Sequence, residues 1–556
     1  MDNYKQIDLK QTKLWVFAAI LTLAAPALTA HAEDYTYNII SEKDTTISLV
    51  VSGTNLGSRD IHRYLYEFPS VDAEGKPVNI SGAVWVPKNI YDGTAPCDGV
   101  VLYNHYTHLS ADERISVLGE EFCNGLLSSP LKPNYIFVIS DYLGFGITAD
   151  RPQAYLCGET NARNSLDGLL AARQLMDDHQ IPQGRYLFNM GYSQGGTESM
   201  FVAKLRDMEY KDKGITFDKT FSGGGPLDFD KVYTELVRIG YSHIPAAVVL
   251  MLVSLNENYH MGLDYKQVFQ EPLASHVDEW ILSKAYNESA VRKLIGSDTL
   301  KNYLQPAYVD LESDVAKALR QKLQAITLTN GWEPDPAQHY FIEHSRHDDY
   351  VPIQSSRSIF PWMRDKGFKT SIVPGKTNLQ TNTAVFKLDH PRASIVWLIQ
   401  TAVALQVWPV LYYEGEQNRY YNNVVKDLNL LKAIKLLESI GIDFRSGGHG
   451  SGSGEPVNVS NIFEFLIKLS ESLKSLDLDL SALLEMIEDA GIGLLDLVEA
   501  INYLTSDSAE AALPDAVGNT EAPLHLMRQY EQILAAWFLT AGIDVKSLEY
   551  GAWSAE

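Results

Sequence analysis

Asn189-Met190-Gly191-Tyr192-Ser193-Gln194-Gly195-Gly196 is the stretch on which the fold turns. The apolar run Tyr186-Leu187-Phe188-Asn189-Met190 enters it, and a helical pattern from about Gly196 to Leu205, with Glu198 in its first turn, leaves it. A G-x-S-x-G at a strand-to-helix turn has a mechanical meaning. Small residues allow the sharp reversal that lifts a serine hydroxyl above a sheet. The helix N-terminus behind it favours the negative charge that grows on a reacting oxygen. Ser193 is therefore the expected nucleophile, and the backbone N–H of Gln194 an expected oxyanion donor.

Working outward, Gly99-Val100-Val101-Leu102-Tyr103 and Tyr135-Ile136-Phe137-Val138-Ile139 have the continuous apolar character of strands buried on both faces. Leu166, Leu169, Leu170 and Leu175 recur near helical spacing before the Tyr186 strand. Strands alternating with helices predict an α/β fold with a mostly parallel sheet and helices on both faces. Three shorter strand patterns, Ile47 to Val51, Arg63 to Glu67 and Ser81 to Val86, precede it, the last two joined by a turn at Asp72-Ala73-Glu74-Gly75. Strand signals return at Tyr340-Phe341-Ile342 and Thr370-Ser371-Ile372-Val373, around a helix near Ser355 to Arg364. Between them, from about 227 to 328, only helical runs occur: Val232 to Ile239, Ile244 to Leu255 and Val315 to Ile326. An insert of that size predicts a helical cap. Its greasy run Ile244 to Leu255 is too short to span a bilayer and reads either as a buried helix or as a wall for an acyl chain.

A serine hydroxyl needs a base, and the base needs a carboxylate to hold it. In the chain order Ser, acid, His, the acid is expected in Glu343-His344-Ser345-Arg346-His347-Asp348-Asp349-Tyr350, just after the strand ending near Ile342. Asp348 is the preferred acid and Asp349 its rival. His344 and His347 lie beside the acid and are expected to support the loop. His390, in Lys387-Leu388-Asp389-His390-Pro391 ahead of the helical run Ala393 to Val403, is the expected base. His260, His276 and His339 precede the acid and break the order. The second oxyanion donor is expected at Tyr106 or Thr107, in the loop Asn104-His105-Tyr106-Thr107-His108. Tyr142, in Ser140-Asp141-Tyr142-Leu143-Gly144-Phe145-Gly146, is expected to line the pocket.

Together, Tyr103 to Thr107, Ser140 to Gly146, Gly191 to Gly196 and Asp348 to Pro352 resemble the α/β-hydrolase superfamily. Within it the chain is similar to the secretory lipases and capped esterases. The match runs in motif order from about Tyr64 to Val403. The resemblance implies a secreted carboxylic-ester hydrolase with the triad Ser193, Asp348 and His390 and no metal or organic cofactor. One departure is His105-Tyr106, where relatives often have His-Gly; a bulky residue there bears on oxyanion geometry and pocket width. Two rival readings share the fold: a serine peptidase of the prolyl-oligopeptidase kind, and a non-catalytic binding protein. Little chain precedes the first parallel strand for the large N-terminal domain such peptidases usually carry.

The ends and the composition bound the rest. Lys5, Lys10 and Lys13, an apolar stretch from Leu14 to about Leu28, and Ala30-His31-Ala32 have the parts of a secretory signal peptide over 1–32. That predicts a secreted or periplasmic protein with no stable membrane span once the leader is removed. The hydrolase domain is expected over 33–430. A helical module over 431–556, interrupted by the Gly/Ser linker 446–454, offers a docking element without visible chemistry. The chain has 556 residues, 45% of them hydrophobic and 21% charged, which is ordinary globular composition. Its formal charge of -24 repels phosphate backbones and excludes a nucleic-acid role. A small-molecule or lipid ester fits. Export would permit a disulfide among Cys97, Cys123 and Cys157; three free thiols is the alternative.

Overall fold

The computed structural model describes residues 35–411, apart from 52–53, 114, 119–120, 129–132, 369, 372–378 and 382–387. The expected leader 1–32 and the C-terminal module 431–556 with its linker lie outside the described residues. The strands are β1 (Asn38–Val51), β2 (Thr54–Val71), β3 (Pro77–Pro87), β4 (Gly99–Asn104), β5 (Tyr135–Ser140), β6 (Tyr186–Tyr192), β7 (Lys219–Gly223), β8 (Tyr340–Glu343), β9 (Thr370–Ser371) and β10 (Leu379–Thr381). They form one sheet in the order β1-β2-β3-β5-β4-β6-β7-β8-β10-β9. The pairs among β1, β2, β3 and β5 are antiparallel, and every pair beyond β5 is parallel.

In strands β4, β5, β6, β7 and β8 every residue is buried, as expected of parallel strands covered on both faces. An aromatic row crosses the sheet, with Phe188 and Phe221 rings 5.9 Å apart and Phe221 and Phe341 again 5.9 Å apart. The β2–β3 turn forms at Asp72 to Gly75 as predicted: Gly75 N–H donates to Asp72 O at 3.0 Å, and Gly75 holds a φ of 77°. Two strands escaped the sequence patterns. β7 begins with Lys219-Thr220, polar residues that mask a buried strand, and β10 is only three residues, Leu379-Gln380-Thr381.

Beyond β5 the longer helices are α1 (Gly158–Asp178), α2 (Gln194–Met208), α3 (Phe229–Ile239), α4 (Pro245–Tyr259), α5 (Glu288–Ile295), α6 (Asp314–Ala325) and α7 (His390–Leu411), with shorter helices and turns between them; a helix over Glu121–Ser128 precedes β5. The helix expected near Ser355 to Arg364 is two short ones, Gln354–Arg357 and Ile359–Asp365. Between β7 and β8 only helices, turns and two isolated bridges occur among the described residues. Side-chain caps begin several helices: Asp228 accepts from Lys231 N–H ahead of α3, and Ser313 accepts from Ala316 N–H ahead of α6. Proline opens α4, whose residues Pro245 to Leu255 are all buried. Ser254 and Asn258 of α4 both donate to Gln153 O, at 2.6 and 3.0 Å, which favours the buried-helix reading of this run.

β4 lies between β5 and β6, so the chain winds one way from β4 to β5 and the other way through α1 to β6. In open parallel sheets that reversal leaves a crevice at the carboxyl ends of the strands. Asn104, Ser140, Tyr192, Gly223 and Glu343 end the five strands there, and every expected site residue lies on a loop or helix start that follows one of them or, for His390, follows the later strands. No described helix is long and apolar enough to cross a membrane.

Candidate active site

Ser193 sits between β6 and α2 with φ 56° and ψ -124°, a conformation that costs roughly 1–3 kcal/mol for a side-chain-bearing residue. The surroundings enforce it. Ser193 N–H donates to Gly223 O at 2.8 Å, and Ser193 O accepts from Gly196 N–H at 2.9 Å. The flanking glycines are required by close approach. A Cβ on Gly191 would stand 2.3 Å from Gly195 O, one on Gly195 2.1 Å from Asn104 O, and one on Gly196 2.4 Å from Gly223 O. The elbow is therefore wedged against β4 on one side and β7 on the other, and its serine is half-buried.

Far along the chain, Asp348 and His390 meet. His390 Nδ1–H donates to Asp348 Oδ2 at 2.6 Å, and the Asp348 side chain is fully buried. The other carboxylate oxygen accepts Tyr350 N–H at 3.0 Å and Val351 N–H at 2.8 Å. Burial pushes the Asp348 carboxyl up, but His390, the nearby His344 and the Val351 N–H outweigh it and hold the group below its ordinary value. Asp349, the rival acid, serves differently: its Oδ1 accepts His390 N–H at 2.9 Å, capping the first turn of α7 and leaving the ring alone. His390 O accepts from Tyr192 OH at 2.9 Å, which ties the start of α7 to the residue before Ser193. The imidazole packs 4.9 Å from the Tyr192 ring and stacks on Tyr350 at 5.0 Å. Its Cε1 is 3.0 Å from where a Cβ on Gly224 would stand, directly after the strand that accepts Ser193 N–H. The start of α7 is thus tied to the residue before Ser193, and the His390 ring stands beside the end of the strand that accepts Ser193 N–H.

Of the neighbouring histidines, His344 behaves as a support. His344 is buried between Ser356 Oγ at 2.7 Å and Val351 O at 2.9 Å, and burial pushes its imidazole down. His347 is exposed. Gln194 opens α2 and is buried. Thr107 hydroxyl donates to Tyr155 OH at 3.3 Å, and Tyr106 stacks on His108 at 4.6 Å. Tyr142 holds a φ of 59° with its ring stacked on His105 at 4.1 Å. Glu198 departs from the expected place in the first turn of the helix. The helix starts two residues earlier than the pattern placed it, so Glu198 lies in its second turn, fully buried.

Sequence reasoning missed two polar hubs beneath the site. Asn104 donates to Asn189 Oδ1 at 2.8 Å and Ser199 Oγ at 3.0 Å, and accepts from Ser165 Oγ at 3.1 Å, joining β4, β6, α1 and α2. Asp141 accepts from Ser81 Oγ at 2.6 Å and from Ser116 N–H and Oγ at 3.0 and 2.7 Å, fixing the loop after β5. A polar residue at the end of an apolar strand was the available signal for each. All three cysteines are free thiols, Cys123 and Cys157 buried and Cys97 partly so.

Strand order, the strained elbow and the acid–histidine pair define the α/β-hydrolase fold, and solved structures agree. The rice cell wall degrading esterase LipA of Xanthomonas oryzae superposes with a TM-score of 0.52 at 19% identity, over 67% of this chain and 96% of that one. A Legionella pneumophila protein described as a candidate hydrolase superposes with a TM-score of 0.55 at 18% identity, over 67% of this chain and all of that one. No protein-family model and no curated protein matches the chain.

Proposed function

We propose that this protein is a serine carboxylic-ester hydrolase working through an acyl-enzyme. The observation that carries the reading is the buried Asp348–His390 hydrogen bond beside a serine held at positive φ on a strand-to-helix elbow. Ser193 Oγ attacks the ester carbonyl while His390 Nε2 takes its proton. The same proton passes to the leaving alkoxide, the ester C–O bond breaks, and the acyl group stays on Ser193. Water activated by His390 then releases the acid. Asp348 keeps Nδ1 protonated throughout, so that Nε2 is the free base. Gln194 N–H supplies one oxyanion contact, and the second is assigned to the Tyr106–Thr107 segment. The chemistry calls for no metal or organic cofactor. The esterase among the solved structures of this fold supports ester over peptide chemistry. Export through residues 1–32 belongs to the same proposal, with a mature N-terminus after Ala32.

A fluorophosphonate probe on the full chain, read by intact mass, tests the nucleophile. Wild type is expected to gain one adduct and Ser193→Ala none. Hydrolysis of p-nitrophenyl esters of graded acyl length, set against dipeptidyl anilides and acetylated or feruloylated sugars, then assigns the substrate. Turnover of anilides alone would refute the ester reading.

A further inference from the structure

Behind Ser193 lies a polar cluster that the triad does not use. Glu198 of α2 is fully buried. Its Oε1 accepts from Asn161 Nδ2 of α1 at 2.9 Å and from Gln194 Nε2 at 3.4 Å. Its Oε2 has no hydrogen-bond partner, and neither has Gln194 Oε1 nor Asn161 Oδ1. Glu198 Oε2 is thus buried without a donor, and no cation forms a salt bridge to Glu198 among the described residues. A carboxylate so placed lacks a donor at its second oxygen. A proton on Glu198 supplies it, because a neutral carboxyl can donate to an amide oxygen once an amide turns over, and the amide orientations are interchangeable by geometry.

We propose that Glu198, in its protonated form, is the positioning residue that fixes Gln194 beside Ser193, and that its ionisation weakens the site at alkaline pH. The inference rests on Ser193 being the nucleophile. Gln194 is the first residue of α2, so clamping its side chain restrains the peptide whose N–H faces the oxyanion. Asn161, which also donates to Ala154 O at 2.7 Å, anchors the clamp to the loop ahead of α1. Burial supports the protonated state, raising the Glu198 carboxyl to about 8 against the smaller lowering by Asn161 and Gln194.

The other titratable groups leave that state in place. Tyr155 and Cys157 ahead of α1 and Tyr259 on α4 each feel Glu198, and burial holds all three neutral by raising them. Glu159 of α1 pairs with Lys204 of α2 at 2.8 Å. At the end of β4, burial pushes His105 down to about 3, so it carries no charge. Lys219 begins β7 at the end away from Gly223, the residue that touches the elbow.

The test is the pH profile of p-nitrophenyl acetate hydrolysis by the full chain, from about pH 6 to about pH 10. In wild type, kcat is expected to fall above about pH 8 and to level off about tenfold lower by about pH 10, with little change in KM. Glu198→Gln keeps the clamp without a titrating proton, so its plateau is expected to continue through about pH 10. Glu198→Leu guards against misfolding of the first variant. It is expected to lose the alkaline fall and to drop about tenfold in kcat at every pH, because Gln194 then has no partner. A merely structural glutamate would not move the alkaline limb. An alkaline limb unchanged in both variants, or absent from wild type, overturns the proposal while Ser193→Ala remains inactive. Hydrolysis that survives Ser193→Ala removes the nucleophile reading instead, and this one with it.

Discussion

Asp348→Asn separates orientation of the base from every other role of the acid loop. Tyr350 and Val351 N–H both donate to Asp348 Oδ1, so in the variant the amide oxygen must stay at that position. The amide nitrogen then occupies the place of Oδ2, 2.6 Å from His390 Nδ1. Two N–H groups cannot face each other at that distance. The imidazole must move its proton to Nε2, the nitrogen that the proposed mechanism needs free to accept from Ser193. Reversing the amide instead would set its N–H against two buried backbone donors, each costing about 1–3 kcal/mol. The wrong tautomer costs about 10⁴-fold in kcat in enzymes with this arrangement, or about 5.5 kcal/mol of barrier. The assay is kcat for p-nitrophenyl acetate near pH 8, with Asp349→Asn as control. An asparagine at 349 still accepts His390 N–H through its amide oxygen, so it is expected to stay within about threefold of wild type. A loss below about tenfold at 348, or an equal loss at 349, refutes the orientation argument. The pair also has a stability signature. The Asp348 carboxyl is lowered in the folded state, so its contribution is full above the ordinary carboxylate value and fades as pH falls through the lowered one. Asp348→Asn should therefore flatten the acid limb of the melting profile.

Other perturbations probe the scaffold. Gly195→Ala would set a Cβ 2.1 Å from Asn104 O and 3.0 Å from His105 O, both backbone atoms. A destabilisation of about 3 kcal/mol or more in urea unfolding and a loss of about 100-fold in kcat are expected, and near-normal activity would show that the elbow is not wedged. Trp397 of α7 is fully buried against Tyr192, with ring centroids 5.6 Å apart. Trp397→Ala is expected to cost about 3–5 kcal/mol, and less than about 1.5 would mean that α7 does not hold the base loop to the sheet. Glu343 ends β8 fully buried with neither carboxylate oxygen paired, and burial with Asp348 nearby raises it well above its ordinary value. Folding then demands a proton, so stability is full below the ordinary carboxylate value and declines as pH rises through the raised one. Glu343→Gln should flatten that decline in a series of melts from about pH 5 to about pH 9; an unchanged slope would show the carboxylate is not protonated there.

The local part of this fold was legible because its constraints are local. G-x-S-x-G specifies a strand, a sharp reversal and a helix through the steric freedom of glycines, and that unit formed around Ser193 as read. Apolar runs of five residues marked β4, β5 and β6 because strands covered on both faces need no polar alternation. β7 defeated the same rule. Lys219 and Thr220 are buried there, the lysine lying over the Phe221 and Phe341 rings at 5.3 and 5.6 Å, an environment that exists only once β8 pairs alongside. Glu198 shows the same limit: its place near a helix start could be read along the chain, its full burial could not.

Residue type and spacing alone thus determined the elbow, the alternating architecture and a short list of acids and bases in the right chain order. Tertiary structure decided which of two adjacent aspartates holds His390 and which caps its helix, since carboxylates one residue apart differ only in direction. It also decided which polar side chains are stranded away from water. Burial is a property of the assembled layers, and no window along the chain contains it.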